Sequence, residues 1–396
     1  LRSVPTPNCK SIAEKTAEAS VLRTAGESVS KITSGLHARA YFFLYNFLTL
    51  SNIQFALNIQ QMKPPPTDLK RNSSAPITPE MIALEALDAR AQKKAHGSWF
   101  IFNPAANKGK AKTHLKWLET ALLTKREEGV IQLTNQSGDA SLFAESAKMK
   151  SEMIVACGGD GTVNEVAQPL VGTETRLAVL PMGSGNDFFK NLTTKKKLTD
   201  AFQLASQGKA RKIDVGKATF RFNNQSYSRY FLNSLGLGFT GAIAKEARTS
   251  THKGDLVYLD ALLKVGKTYS ATPIQLLLNT EHGQTLVSER IFALTIGNGK
   301  IEGGKFKIAP DATLNDGFLN LSALASFPKW QLPLWVSRYL RGSHVRNSNV
   351  HYHKISSVTI TLTEPLHLHL DGEVFENISG EIVVECLPCA LSVVAD

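Results

Sequence analysis

Met153-Ile154-Val155-Ala156-Cys157-Gly158-Gly159-Asp160-Gly161-Thr162-Val163-Asn164-Glu165 is the stretch from which the fold of this chain can be read. An apolar run with the character of a strand meets a cluster of glycines, and helix-compatible residues follow. Glycine lets a backbone turn with positive φ and come close to a ligand, and the first turn of a helix offers unpaired N–H groups to an anion. No Gly-Lys-Ser/Thr follows, so this is not the Walker pattern. Taken alone, the glycines read most simply as a tight strand-to-helix turn with Asp160 near the helix start.

Strand and helix signals repeat on both sides of it. Ser98 to Phe102 is a β-rich run ending at Asn103-Pro104, and a helical pattern through Leu115, Leu118, Leu122 and Leu123 follows. Val130 to Thr134, Ala140 to Lys148, Val163 to Leu170 and Leu177 to Leu180 continue the alternation. Such a rhythm predicts a parallel sheet with helices on its faces. After about Asp214 the text changes to short alternating runs: Tyr230 to Ser234, Ile274 to Asn279, Arg290 to Ile296, Phe318 to Ala323, Ser357 to Leu362, Leu366 to Leu370 and Glu381 to Glu385. Helical text interrupts around Gly241 to Ala247, Leu256 to Val265 and Lys329 to Leu340. This predicts a β-rich second domain, a sandwich.

The expected organisation is an extension over 1–95, an α/β domain over 96–230 and a β-sandwich over 231–396. The extension is polar and Ala/Ser-rich, then carries an apolar run from Tyr41 to Leu50 that is too short to span a bilayer, then Pro64-Pro65-Pro66. With the first methionines at Met62 and Met81, it reads as poorly ordered or foreign to the working protein.

A formal charge of +11 over 396 residues implies an acidic partner: nucleic acid, a nucleotide or an anionic membrane surface. Four cysteines are too few for a disulfide framework in a chain of this length, which points to a reducing compartment. Cys386-Leu387-Pro388-Cys389 has no second pair to complete a zinc site and reads as incidental thiols. His351 with His353, and His367 with His369, share strand faces and read as solvated histidines rather than zinc ligands.

Two more small-residue loops stand beside the first. Asn103-Pro104-Ala105-Ala106-Asn107-Lys108-Gly109-Lys110 follows the first strand, and Pro181-Met182-Gly183-Ser184-Gly185-Asn186-Asp187-Phe188 follows the last strand of the same domain. In an open parallel sheet the loops at the carboxyl ends of the strands converge on one crevice, so three of them form a candidate nucleotide site. Thr134 ends the second strand at the same edge.

Asn103-Pro104, Gly158-Gly159-Asp160-Gly161-Thr162, Gly183-Ser184-Gly185-Asn186-Asp187, Asn315-Asp316-Gly317 and Asp371-Gly372-Glu373, in this order, resemble the bacterial lipid kinases that share the diacylglycerol kinase catalytic domain. The resemblance runs from Ser98 to the C-terminus and implies the NAD-kinase-like fold: a Rossmann-like parallel α/β nucleotide domain, then a β-sandwich, with the active site in the cleft between them. It implies ATP binding by Asn103, Pro104, Ala105, Ala106, Asn107, Lys108, Thr134, Gly159, Asp160, Gly161, Thr162, Val163, Asn164, Glu165 and Ser184. Ala106-Asn107 departs from the family's usual Ser-Gly. A structural Mg²⁺ is implied on the Asp316 carboxylate and the carbonyls of Thr313 and Phe318, an oxygen-only set suited to a hard cation. Asp214 is similar to an acidic position near that metal, and Lys253 is placed to reach a phosphate.

Asp371 and Glu373 lie two apart on an extended chain, so both carboxylates point the same way, with a glycine between them leaving room for a ligand. Phosphoryl transfer to an alcohol needs a base for the hydroxyl, and the two share that role here. The expected function is transfer of the ATP γ-phosphate to the hydroxyl of a membrane lipid such as diacylglycerol, by a cytoplasmic protein held peripherally on the anionic inner membrane face. No nucleic-acid partner is expected, and a homodimer stays open. The alternatives are a NAD kinase, which shares the Gly-Gly-Asp-Gly-Thr loop, and a catalytically silent lipid- or nucleotide-binding regulator.

Overall fold

The computed structural model describes residues 97–125, 129–249 and 256–396. The expectations for the extension and for Lys253 lie outside the described residues. Four parallel strands form the first layer: β1 (Ser98–Phe102), β2 (Gly129–Leu133), β3 (Met153–Gly158) and β4 (Arg176–Pro181), in the spatial order β2-β1-β3-β4. Helices α1 (Leu115–Lys125), α2 (Asp139–Ala147) and α3 (Asp160–Ala167) follow the first three strands, and α4 (Asp187–Leu192) and α5 (Leu198–Gln207) follow the fourth. Phe100, Ile101 and Phe102 in β1 and Ile154 to Cys157 in β3 are all buried, as strands covered on both faces require.

The register lines up the carboxyl ends of the strands. Phe102 pairs with Cys157, and Gly158 with Pro181. Each strand end is latched to its neighbour: Asn103 N–H donates to Cys157 C=O, Thr134 N–H to Phe102 C=O, and Met182 N–H to Gly158 C=O. The three loops are therefore held side by side.

The second layer is antiparallel, and the chain does not enter it only once. Strand β5 (Lys209–Phe222) begins against the first core at Ile213 and ends in the second at Phe220. After β6 (Gln225–Phe231), β7 (Ser234–Gly238), α6 (Phe239–Thr249), α7 (Leu256–Thr268), β8 (Thr272–Thr280), β9 (Gly283–Gly297), β10 (Leu319–Ala325), α8 (Leu332–Arg341) and β11 (Val350–Leu370), the long β12 (Glu373–Ala395) runs back alongside β5. Its Val393 pairs in parallel with Leu177 of β4, and Leu391, Val393 and Val394 join the first core. The second core, built on Phe231, Leu235, Leu276, Leu294, Leu321, Val358, Leu368 and Phe375, lies within this folded-over antiparallel sheet. Helices α6, α7 and α8 cover one flank, where Phe239, Phe292, Phe327 and Trp335 pack ring against ring in a chain around a third apolar cluster.

Candidate active site

The turn between β3 and α3 touches the turn between β4 and α4 with no side chain between them. A Cβ on Gly183 would sit 2.4 Å from the Cα of Gly159, so only glycine allows this approach. Asn186, at φ 53°, closes the second turn by accepting from Gly183 N–H and donating to Gly183 C=O. Asp160 bridges the two, its Oδ1 accepting from the Phe188 N–H at 3.1 Å. The first loop joins them: Asn103 Nδ2 donates to Thr162 Oγ1 at 2.9 Å, and Asn103 Oδ1 accepts from Ala105 N–H. Asn107, Lys108 and Gly109 are all left-handed, at φ 52°, 57° and 83°, so Asn107 adopts a conformation that glycine would take most easily. Glu165 accepts from Ser137 and Gly138 at 3.0 Å, which holds the loop after Thr134 against α3. Thr134 is buried and Ser184 is exposed at the tip of its loop. The loop residues expected at one site, Asn103 through Lys108, Thr134, Gly159 through Glu165 and Ser184, thus converge.

The Asp371-Gly372-Glu373 turn faces these loops from the sandwich, and its two carboxylates are in different states. Asp371 has φ 48° and accepts four hydrogen bonds: from Asn233 and Ser234 N–H on Oδ1, and from Leu232 N–H and Asn164 Nδ2 on Oδ2, all between 2.7 and 2.9 Å. Four donors saturate a carboxylate. Burial pushes its carboxyl above the ordinary range, against the pull of those donors. Glu373 is half open: Nε and Nη2 of Arg229 both bind its Oε2, at 3.0 and 2.8 Å, and its side chain is 39% exposed.

Asp160 is pushed up to about 6, by burial first and then by the charge of Asp187, with Asp371 adding to it. Asp187 is a site residue whose contacts could not be read from sequence. Its carboxylate accepts the Gly304 N–H at 3.0 Å and pairs with Lys190 at 3.1 Å, tying α4 to the segment that follows β9. Asn233 Nδ2 donates to Ile301 C=O in that segment. Asn298 donates to the carbonyls of Asp214 and Leu232, so a layer of asparagines stitches the two halves together.

The raised Asp160 predicts a measurable inversion. Because its folded value lies above the ordinary 3.8, the native state holds more protons than the unfolded state between about pH 4 and 6, and stability falls as pH rises through that window. Asp160→Asn keeps an oxygen for the Phe188 N–H and removes the charge. It is expected to be more stable than wild type at pH 8 by about 1–2 kcal/mol and equal to it near pH 4, read as Tm against pH. A variant less stable at both pH values would refute the account.

One histidine expected to be solvated is not. His369 is 1% exposed, and its Nε2 lies 3.0 Å from Glu302 Oε1. Leu366, Leu368 and Leu370 take the core face of β11, so His369 points to the other face, which α6 covers, beside its partner Gly236 on the neighbouring strand β7. A Cβ on Gly236 would lie 2.1 Å from His369 Nε2, so the glycine makes room for the ring. Burial opposes charge on His369, but the Glu302 carboxylate outweighs it and raises the imidazole; Glu302 is correspondingly held down.

At Asn315-Asp316-Gly317 the carboxylate is already engaged. Phe318 N–H donates to Asp316 Oδ1 at 3.2 Å, and the Lys354 ammonium lies 2.8 Å from Oδ2. Thr313 is exposed in the same turn. Asp214 accepts from the N–H groups of Gly317 and Cys389, and so fastens two turns to each other. A cation of the protein's own thus neutralises the carboxylate for which the resemblance implies a structural Mg²⁺, and as these side chains stand they do not fit a divalent ion. Among the described residues no group of three or more His, Cys, Asp or Glu could hold a metal ion. Burial pushes the Cys386 thiol up to about 12, consistent with a packing role.

Beside the carboxylates opens an apolar pocket lined by Phe239, Ile243, Leu262, Phe292, Trp335 and Tyr339, with Thr295, Glu302 and Gly303 at its polar end. Its lining residue Gly303 is flanked by Gly304, which binds Asp187, and by Glu302, which pairs with His369 two residues before Asp371.

Comparison with known proteins agrees with this architecture. The diacylglycerol kinase catalytic domain matches residues 98–218, and the YegS C-terminal NAD kinase beta sandwich-like domain matches residues 233–395. A relative named "Probable lipid kinase YegS-like" from Pectobacterium atrosepticum is 30% identical over 287 residues, 69% of this chain and 89% of the relative. The chain belongs to the diacylglycerol kinase catalytic-domain family of lipid kinases. Within that family, the diacylglycerol kinase of Bacillus subtilis is 28% identical over 289 residues, 72% of this chain and 91% of the relative. A solved diacylglycerol kinase structure from Bacillus anthracis superposes with a TM-score of 0.55 at 21% identity, covering 76% of this chain and 97% of that one, a likeness of fold. As a member of that family the chain is a phosphotransferase of the kinase class.

Proposed function

We propose that the protein transfers the γ-phosphate of ATP, taken as its magnesium complex, to the hydroxyl of a membrane lipid whose acyl part enters the apolar pocket. The observation that carries this reading is the shared segment Ile301 to Gly304. One side of it binds Asp187 in the carboxylate cluster and the other side lines the pocket, so a hydroxyl and its apolar tail have adjoining places.

In this reading the triphosphate lies across Asn103 to Lys108, Gly159 to Thr162 and Ser184, where backbone N–H groups and the first turn of α3 favour negative charge. Asp160 holds the loops after β3 and β4 together. Glu373 serves as the base, because its side chain is partly exposed and both Arg229 contacts fall on Oε2, while Asp371 has no lone pair to spare. Asp371 positions β7 and Asn164. Together these groups bring the hydroxyl oxygen to the phosphorus in line and accept its proton, and positioning of this kind supplies much of the rate.

The test offers purified protein, magnesium and labelled ATP with diacylglycerol, phosphatidylglycerol, a sphingoid base or NAD. Label is expected in a lipid. Label in NAD and in no lipid would overturn the proposal, and no transfer to any of them would support a silent binding module.

A further inference from the structure

The corner where α7 meets α8 carries an apolar surface of its own, next to the pocket. Trp330 is 78% exposed, Leu263 54% and Leu334 48%. Two contacts and a helical spacing fix them as one patch. A Cβ on Gly266 would lie 2.5 Å from Leu332, so the two helices touch there. Lys329 Nζ donates to Lys267 C=O at 3.2 Å, which clips the turn before α8 to the end of α7. Leu263, Gly266 and Lys267 share one face of α7 by spacing.

The same short helices reach inward. Leu262, Leu332, Trp335 and Val336 line the pocket, so apolar surface continues from the exposed corner into the cavity. The charge around it is mainly positive: on α7 the acid Asp260 is paired with Lys264 at 2.9 Å, and Lys267 follows. From Gly317 to Thr363 the sequence has no Asp or Glu, yet it contains Lys329, Arg338, Arg341, Arg346 and Lys354. Arg338 lies over the Trp335 ring, 4.7 Å from its centroid, at the seam between pocket and surface. An exposed tryptophan beside leucines with lysine and arginine at the rim is the chemistry of a surface that rests in the headgroup layer of an anionic bilayer. Among the described residues no helix is long and apolar enough to cross a membrane, so a surface of this kind is what the described helices offer.

We infer that the α7–α8 corner, led by Trp330 and Leu334, is the face that docks on an anionic phospholipid bilayer and turns the pocket mouth toward it. This rests on the lipid-kinase reading, but it is tested separately from turnover. The full chain is mixed with vesicles of phosphatidylcholine containing phosphatidylglycerol, and with pure phosphatidylcholine, and bound protein is measured by flotation. Wild type is expected to prefer the anionic vesicles, with binding that weakens as salt rises.

Trp330→Ala with Leu334→Ala is expected to bind roughly tenfold more weakly or worse, from the apolar area withdrawn. Leu123→Ala, which alters an 80% exposed leucine on α1, serves as a control and is expected to bind as wild type does. Brominated lipid should quench wild-type fluorescence more than that of the double variant. Phosphorylation of a short-chain diacylglycerol below its micelle concentration should be equal in the two. Undiminished vesicle binding by the double variant would overturn the inference. So would a wild-type dimer that the double variant dissociates while its vesicle binding persists, since the patch would then meet a second copy. If wild type binds anionic vesicles through this face yet phosphorylates no lipid, the proposed activity fails while the docking face stands.

Discussion

Asp371→Asn is expected to lose turnover and stability together. Asparagine tolerates the left-handed backbone at φ 48°, so the substitution tests the side chain and not the turn. An amide can accept on one atom only, and its NH₂ group would face two of the donors that Asp371 now satisfies. Leu232, Asn233 and Ser234 present their N–H groups to this carboxylate, and Asn164 reaches it from α3. Leaving such donors unpaired in a buried place costs about 2–4 kcal/mol, which should appear as an earlier denaturant midpoint at unchanged slope. Turnover should fall by about 100-fold or more, because the strand end opposite the glycine loops is no longer held. A variant with wild-type stability would show that the four hydrogen bonds do not have the role given to Asp371 above.

Much of this arrangement was legible in the sequence because it is local. The alternation of strand and helix from Ser98 to Leu180 follows from short-range hydrophobic pattern, and the Gly158 to Thr162 turn follows from glycine chemistry. The family resemblance was carried by motifs that are each contiguous. What could not be read depends on partners far away in the chain. Three of the donors that saturate Asp371 lie 137 to 139 positions earlier and the fourth, Asn164, 207 positions earlier, and nothing near Asp371-Gly372-Glu373 announces that. The sequence reading treated its two carboxylates alike, whereas the structure gives one four donors and the other a single arginine.

Strand β12 shows the same limit differently. The β signal from Glu381 to Glu385 runs into Leu387-Pro388-Cys389, which looks like an end, but the strand continues beyond it through a register shift between Leu387 and Leu391. Its return to β4 is set by packing against Leu177 and not by any local residue. Helix α5 was missed because Lys195-Lys196-Lys197 precedes it without a capping side chain, although Ala201, Phe202, Leu204 and Ala205 form a buried stripe. The His369–Glu302 pair was missed because strand periodicity gives the face of a side chain but not what covers that face.

Glu373→Gln is expected to separate chemistry from architecture. The Arg229 contacts both fall on Oε2, and a glutamine oxygen can keep accepting them, so folding should change by less than about 1 kcal/mol, as for other partly exposed ion pairs. In the proposed function the proton acceptor is what disappears. General-base catalysis contributes about 100- to 10,000-fold, so kcat should drop by that factor while KM for ATP stays near wild type, since the proposed nucleotide site lies on the loops after β1, β3 and β4. Compared with Asp371→Asn, this variant should be equally or more impaired in kcat but unimpaired in denaturant midpoint. That contrast assigns base and positioning roles better than either variant alone. A Glu373→Gln enzyme within threefold of wild-type kcat would remove Glu373 as the base and leave Asp160, whose carboxyl burial pushes up to about 6 beside the same loops, as the carboxylate to test next.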